Sequence, residues 1–153
     1  MARRLSGTQA VLYGTLVVGT LDALDAIVFF GLRSGAQPIR IFQSIAFGLI
    51  GPAARTGGLK TAALGLFLHY FIAFGIVLTY FLVSRRVRVL TRHPVLCGLS
   101  YGIVAYAVMN LVVLPLSKVG GPSMPPTPVL VNGLLIHMFG VGLPAALAAR
   151  AAK

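Results

Sequence analysis

The chain has 153 residues, of which 58% are hydrophobic and only 10% charged, and its 13 Lys and Arg face two acidic residues for a formal charge of +11. A soluble domain carries about a quarter charged residues, so this composition excludes an ordinary water-soluble fold and points to a bilayer. The bases fall at the ends of apolar runs rather than on one clustered face, the membrane-protein arrangement, which argues against a nucleic-acid partner.

The opening residues place Arg3 and Arg4 ahead of an apolar stretch, as a signal peptide does. The apolar run continues to Phe30 without a small-residue cleavage site, so it reads as a retained first transmembrane helix over 9–30. Within it, GTLDALDAIVFF holds Asp22 and Asp25, the whole acidic complement of the protein. Three residues apart, they share a helix face, which Thr15 and Phe29 extend. An Asp at membrane depth costs about 2.5–3.5 kcal/mol on insertion scales. The cost can be relieved in three ways: one acid protonated, an acid paired with a histidinium, or a cation held between the two. Arg33, snorkelling back from the end of the span, is a further candidate partner.

Residues 31–59 form the longest connection. The stretch PIRIFQSIAFGLIG, 38–51, is apolar but too short to span. Pro38 suits a first helical turn, and Arg40, Gln43 and Ser44 interleave with Ile41, Phe42 and Ile45. This pattern predicts a short amphipathic helix lying in the membrane interface, with a re-entrant segment as the alternative. A second span follows over 60–83, then a basic loop with Arg85, Arg86, Arg88, Arg92 and Pro94, in which His93 reads as solvated. The third span covers 95–116 and contains Cys97, a lone cysteine that excludes a disulfide framework and reads as a small packing residue. The run KVGGPSMPPTP, 118–128, forbids regular helix, and the fourth span covers 129–149. The expected fold is an all-α, single-domain integral membrane four-helix bundle.

The spans echo one another. GLFLHYF, 65–71, and GLLIHMF, 133–139, share Gly-Leu-x-aliphatic-His-x-Phe; YGTLVVGTLD, 13–22, and YGIVAYAVMN, 101–110, share Tyr-Gly followed eight residues later by Asp or its amide. A duplicated helix pair would match Asp22 with Asn110 and His69 with His137, in a parallel repeat about the membrane normal. Counted from the span ends, Asp22, Asp25, His69, Asn110 and His137 fall in one layer in one half of the bilayer, with Asn132 nearer the surface. Gly98, Gly102, Tyr106 and Asn110 recur every four residues, and Gly98-x-x-x-Gly102 permits close helix approach. A Gly four residues before each span histidine does the same.

The five layer residues are the candidate site. A carboxylate pair with two histidines exchanges protons near neutral pH, which suits proton- or cation-linked transport of a small solute by a homo-oligomer. The same layer also fits a structural hydrogen-bond network in an accessory subunit of a larger membrane complex. Haem or metal binding by His69 and His137 is a lesser reading; no motif such as HExxH accompanies it, and no cofactor is expected. The chain lacks G-x-S-x-G, P-loop and metalloprotease signatures, and both aspartates sit on one helix, unlike a membrane aspartyl protease; an enzyme is not expected.

The second span, GLFLHYFIAFGIVLTYFLVSRR, the third, opening GLSYG and closing VVLPLS, and LLIHMF of the fourth resemble small bacterial inner-membrane proteins of the YagU-like kind. The resemblance implies a bacterial inner-membrane location and carries no catalytic residue, cofactor or substrate. Lys and Arg number eight on the side of Arg3, Arg4, the arginines at 85–92, Arg150 and Lys153, against five on the other. The positive-inside rule then puts both termini in the cytoplasm.

Overall fold

The computed structural model describes residues 4–121 and 125–152. Among them there is no strand, and four helices are long and apolar enough to cross a membrane: Gly7–Ser34, Gly58–Arg86, Pro94–Leu116 and Thr127–Ala151. The protein is an all-α four-helix bundle. Of the charges used for orientation, Arg3 and Lys153 lie outside the described residues, as do residues 122–124 of the Pro/Gly-rich connection.

The first span is a single helix, α1 (Gly7–Ser34). A capping box starts it: Gln9 N–H donates to Ser6 Oγ, and Ser6 N–H to Gln9 Oε1. Gly35, at φ 67°, ends it in the left-handed conformation that a residue without Cβ adopts freely. Helix α2 (Pro38–Ile50) follows, with proline in its first turn as expected, and a 3₁₀ turn (Gly51–Arg55) leads into α3 (Gly58–Arg86), the second span. Both long helices overrun the apolar stretches by a few residues at each end, because a helix continues through its flanking polar turns once the core is spanned. A short α4 (Val89–Arg92) crosses the basic loop.

The third and fourth spans are not plain α-helices. The third runs as α5 (Pro94–Val108), a π-turn (Met109–Val113) and α6 (Leu114–Leu116); the fourth as α7 (Thr127–Ile136), a π-turn (His137–Gly142) and α8 (Leu143–Ala151). Leu114 N–H donates five residues back to Met109 O, and Leu143 N–H to Met138 O. Proline follows immediately in both cases, as Pro115 and Pro144. A proline ring collides with the carbonyl four residues earlier and offers no N–H; the widened turn relieves that conflict, and such turns recur at functional sites. The matched helix pairs of the sequence are therefore unlike in backbone: the first two spans are unbroken, and the π-turns belong to the last two.

The termini and the basic loop share one end of the bundle, where Leu5 N–H donates to Ala151 O and Tyr80 OH to Leu90 O. Helix α2 and the connection between the third and fourth spans share the other end, joined by Lys118 N–H to Gly48 O at 2.8 Å. The core belongs to the terminal half and packs small side chains, including Val11, Val77, Ala145, Ala146 and Ala149, around the ring of Tyr80. Glycines set its tightness. A Cβ on Gly102 would stand 2.1 Å from His137 O, and one on Gly142 2.1 Å from Gly98 O, so the third and fourth spans meet backbone to backbone along the stripe read from the sequence. Gly65 is crossed by α2: its Cβ would stand 1.8 Å from Phe42 O. Gln43 is buried at this crossing, its amide donating to Gly58 O and Thr61 Oγ1.

Candidate functional site

At the α2 end the second and third spans part, whereas nearer the termini they are joined by Tyr101 OH donating to Ile76 O and by an edge-on Tyr80–Tyr101 ring contact. The gap is a cavity of about 260 Å³. Its polar lining is Asp22, His69, Asn110 and His137, one residue from each span; its apolar lining includes Val18, Ile72, Ile76, Met109 and Val141, and Ile45 of α2 sits at its rim.

Three of the four, His69, His137 and Asn110, are oriented by a backbone carbonyl. His69 Nε2 lies 2.8 Å from Gly19 O. A carbonyl oxygen only accepts, so Nε2 carries the hydrogen and donates. Gly19 makes this approach possible, since a Cβ there would stand 2.5 Å from the Tyr70 ring, and Tyr70 OH is also hydrogen-bonded to Thr20 Oγ1 at 2.9 Å. The other ring nitrogen, Nδ1, lies 3.9 Å from Asp22 Oδ2. His137 is held the opposite way, Nδ1 donating to Gly133 O at 2.9 Å, with Tyr106 edge-on to its ring. Asn110 Nδ2 donates to Tyr106 O at 2.9 Å. His137 and Asn110 each begin or nearly begin a π-turn, and each bonds back to the carbonyl four residues earlier in its own helix.

Four of the five candidate residues are thus brought together, and Asp25 is not one of them. Its Oδ2 accepts from Asn132 Nδ2 at 2.7 Å, a contact between the first and fourth spans beside the cavity. The sequence places Asn132 nearer the surface than the layer. Asp25 and Asn132 lie toward the same end of two antiparallel spans, and weighing them as a pair, rather than each by its own depth, is the signal that finds the contact. The expected burial also needs correction. None of Asp22, Asp25, His69, Asn110 and His137 is fully buried: all are half-buried, with the Asp22 side chain 29% and that of His69 11% exposed. The reason is that the bundle stays open at this level. The desolvation expected for two sealed carboxylates is met by the cavity for one and by an amide for the other.

Arg33 makes no ion pair with either acid; His69–Asp22 is the acid–base contact found among the described residues. Nor do three His, Cys, Asp or Glu side chains gather there as a metal site requires. His69 and His137 each give one nitrogen to a backbone carbonyl, so an axial-ligand role would rest on the remaining nitrogen of each. No family model, curated protein or solved structure matches the chain, and its site is read from geometry alone.

Proposed function

We propose that the protein is a bacterial inner-membrane transporter protomer, with both termini cytoplasmic, that moves a small solute in exchange for or together with a proton or cation held at the Asp22–His69 pair. The observation that carries this reading is the convergence of Asp22, His69, Asn110 and His137, one from each span, on a single cavity at membrane depth. Ionisable residues in spans are expensive and face cavities or partners where they serve a purpose. His69 Nδ1 bears a lone pair beside a carboxylate. Taking up a proton makes it a histidinium 3.9 Å from Asp22, and losing it leaves the carboxylate for another cation. The orientation is supported by the exposed arginines of the basic loop, whereas at the opposite end Arg40 donates to Arg55 O and Arg55 stacks on Phe47.

The test is reconstitution in liposomes with an imposed pH or cation gradient. Flux above that of empty vesicles, lost in Asp22→Asn, is the expected result. Flux absent from correctly folded protein, or unchanged by Asp22→Asn, would reject the transport role and leave the polar cavity to a subunit of a larger membrane complex.

A further inference from the structure

Resting on the reading of this cavity as a solute site, we propose that its ligand is a small organic ammonium ion, a protonated primary or secondary amine with a short alkyl body. The inference comes from counting what the four polar residues have left to offer. His69 has spent its N–H on Gly19 O, His137 its N–H on Gly133 O, and Asn110 one of its two amide hydrogens on Tyr106 O. What remains is the His69 Nδ1 lone pair, the His137 Nε2 lone pair, Asn110 Oδ1, the Asp22 carboxylate and a single Asn110 N–H. With both rings neutral, all of these but that one N–H are acceptors. No buried side-chain nitrogen or oxygen among the described residues lacks a partner, so these unpaired atoms, on residues that line the cavity, are accessible rather than sealed.

A site that offers acceptors and one negative charge selects a ligand that brings donors and one positive charge. An anion would find one amide N–H there and a carboxylate to repel it. A quaternary ammonium matches the charge but has no N–H to give. A hard metal ion takes six or more oxygen ligands and zinc a compact tetrahedral set, and the described residues gather neither here. The rest of the wall is apolar, from Val18, Ile72, Ile76, Met109 and Val141 with Ile45 at the rim, and suits an alkyl body. The volume of about 260 Å³ lies below the roughly 300–1,000 Å³ of pockets for drug-sized molecules, so the body is short. His69 Nδ1 and Asp22 are also the groups that hold the exchanging proton, so proton and ammonium compete for one place.

Isothermal titration calorimetry on the purified full chain in detergent tests this with four probes of similar size: n-butylammonium, tetramethylammonium, butan-1-ol and butyrate. Saturable binding of n-butylammonium, at least tenfold tighter than any other probe, is the expected result. Asp22→Asn and, separately, Asn110→Leu should each weaken it tenfold or more, while Asp25→Asn changes it less than threefold; an unchanged elution profile and melting temperature establish that a variant folds. Equal binding of tetramethylammonium or butan-1-ol, preference for butyrate, no binding of n-butylammonium, or indifference to both Asp22→Asn and Asn110→Leu would overturn the proposal. The transport reading fails separately: amine binding without flux rejects transport and keeps the ligand, and flux without amine binding does the reverse.

Discussion

The two halves of the bundle use the same four spans to opposite ends. In the terminal half, small side chains fill the interior and Gly98, Gly102 and Gly142 bring two backbones into contact. In the α2 half, the second and third spans separate and polar side chains, three of them bonded to backbone carbonyls, face a cavity; the π-turn His137–Gly142 joins the halves, its Gly142 in the closed contact and its His137 in the cavity wall. Lipid offers no hydrophobic drive for helices to associate, so closure depends on packing of small residues. Where the glycine and alanine stripe runs, the bundle closes; where it gives way to Asp, His and Asn, it stays open. Val18 belongs to both regions, in the core cluster and in the cavity wall, and marks the boundary between them.

Substitutions can break this contrast, and the largest effect is expected in the closed half. Gly102→Leu must push the third span off the fourth, because the contact is backbone and cannot yield as a side chain would. We expect a loss of about 3 kcal/mol or more, at or above the usual range for overpacking, read as a lower melting temperature in detergent. Next comes Asn132→Ala, which removes the hydrogen bond to the Asp25 carboxylate; a charged group so deprived costs about 1–3 kcal/mol, and Asp25→Asn in the same chain should recover part of the loss. Pro144→Ala removes the reason for the second π-turn and is expected to change stability by no more than about 1 kcal/mol, while shifting His137 against Asn110 and weakening ligand binding. Smallest is Gly75→Ala on the open face of α3. Nothing lies within 4 Å of the added Cβ, so a gain of up to about 1 kcal/mol is expected from helix propensity alone.

The sequence made the closed half easy to read and the open half only partly so. Span length, the Gly98-x-x-x-Gly102 stripe and the short helix opening at Pro38 follow from local rules, and the structure has all three. The convergence of Asp22, His69, Asn110 and His137 was legible from depth, since residues at one level on four helices have few places to go. The separation of Asp25 was not, because Asn132 had to be weighed as its partner rather than by its own distance from the surface. The openness was not either. It lies between the second and third spans, and the nearby crossing of α2 over Gly65, backbone to backbone, leaves no mark beyond one glycine. The sequence echo between helix pairs predicts matching side chains, which the cavity brings together, but says nothing of backbones that differ.

The orientation of the two histidines is the most direct test of the account. Nitrogen-15 NMR of histidine-labelled protein in lipid bilayers, at a pH where both rings are neutral, distinguishes the tautomers. Hydrogen on Nε2 of His69 and on Nδ1 of His137 is the predicted result, since Gly19 O and Gly133 O accept from those atoms. One tautomer for both rings, or rapid averaging in each as for a freely solvated imidazole, would contradict it.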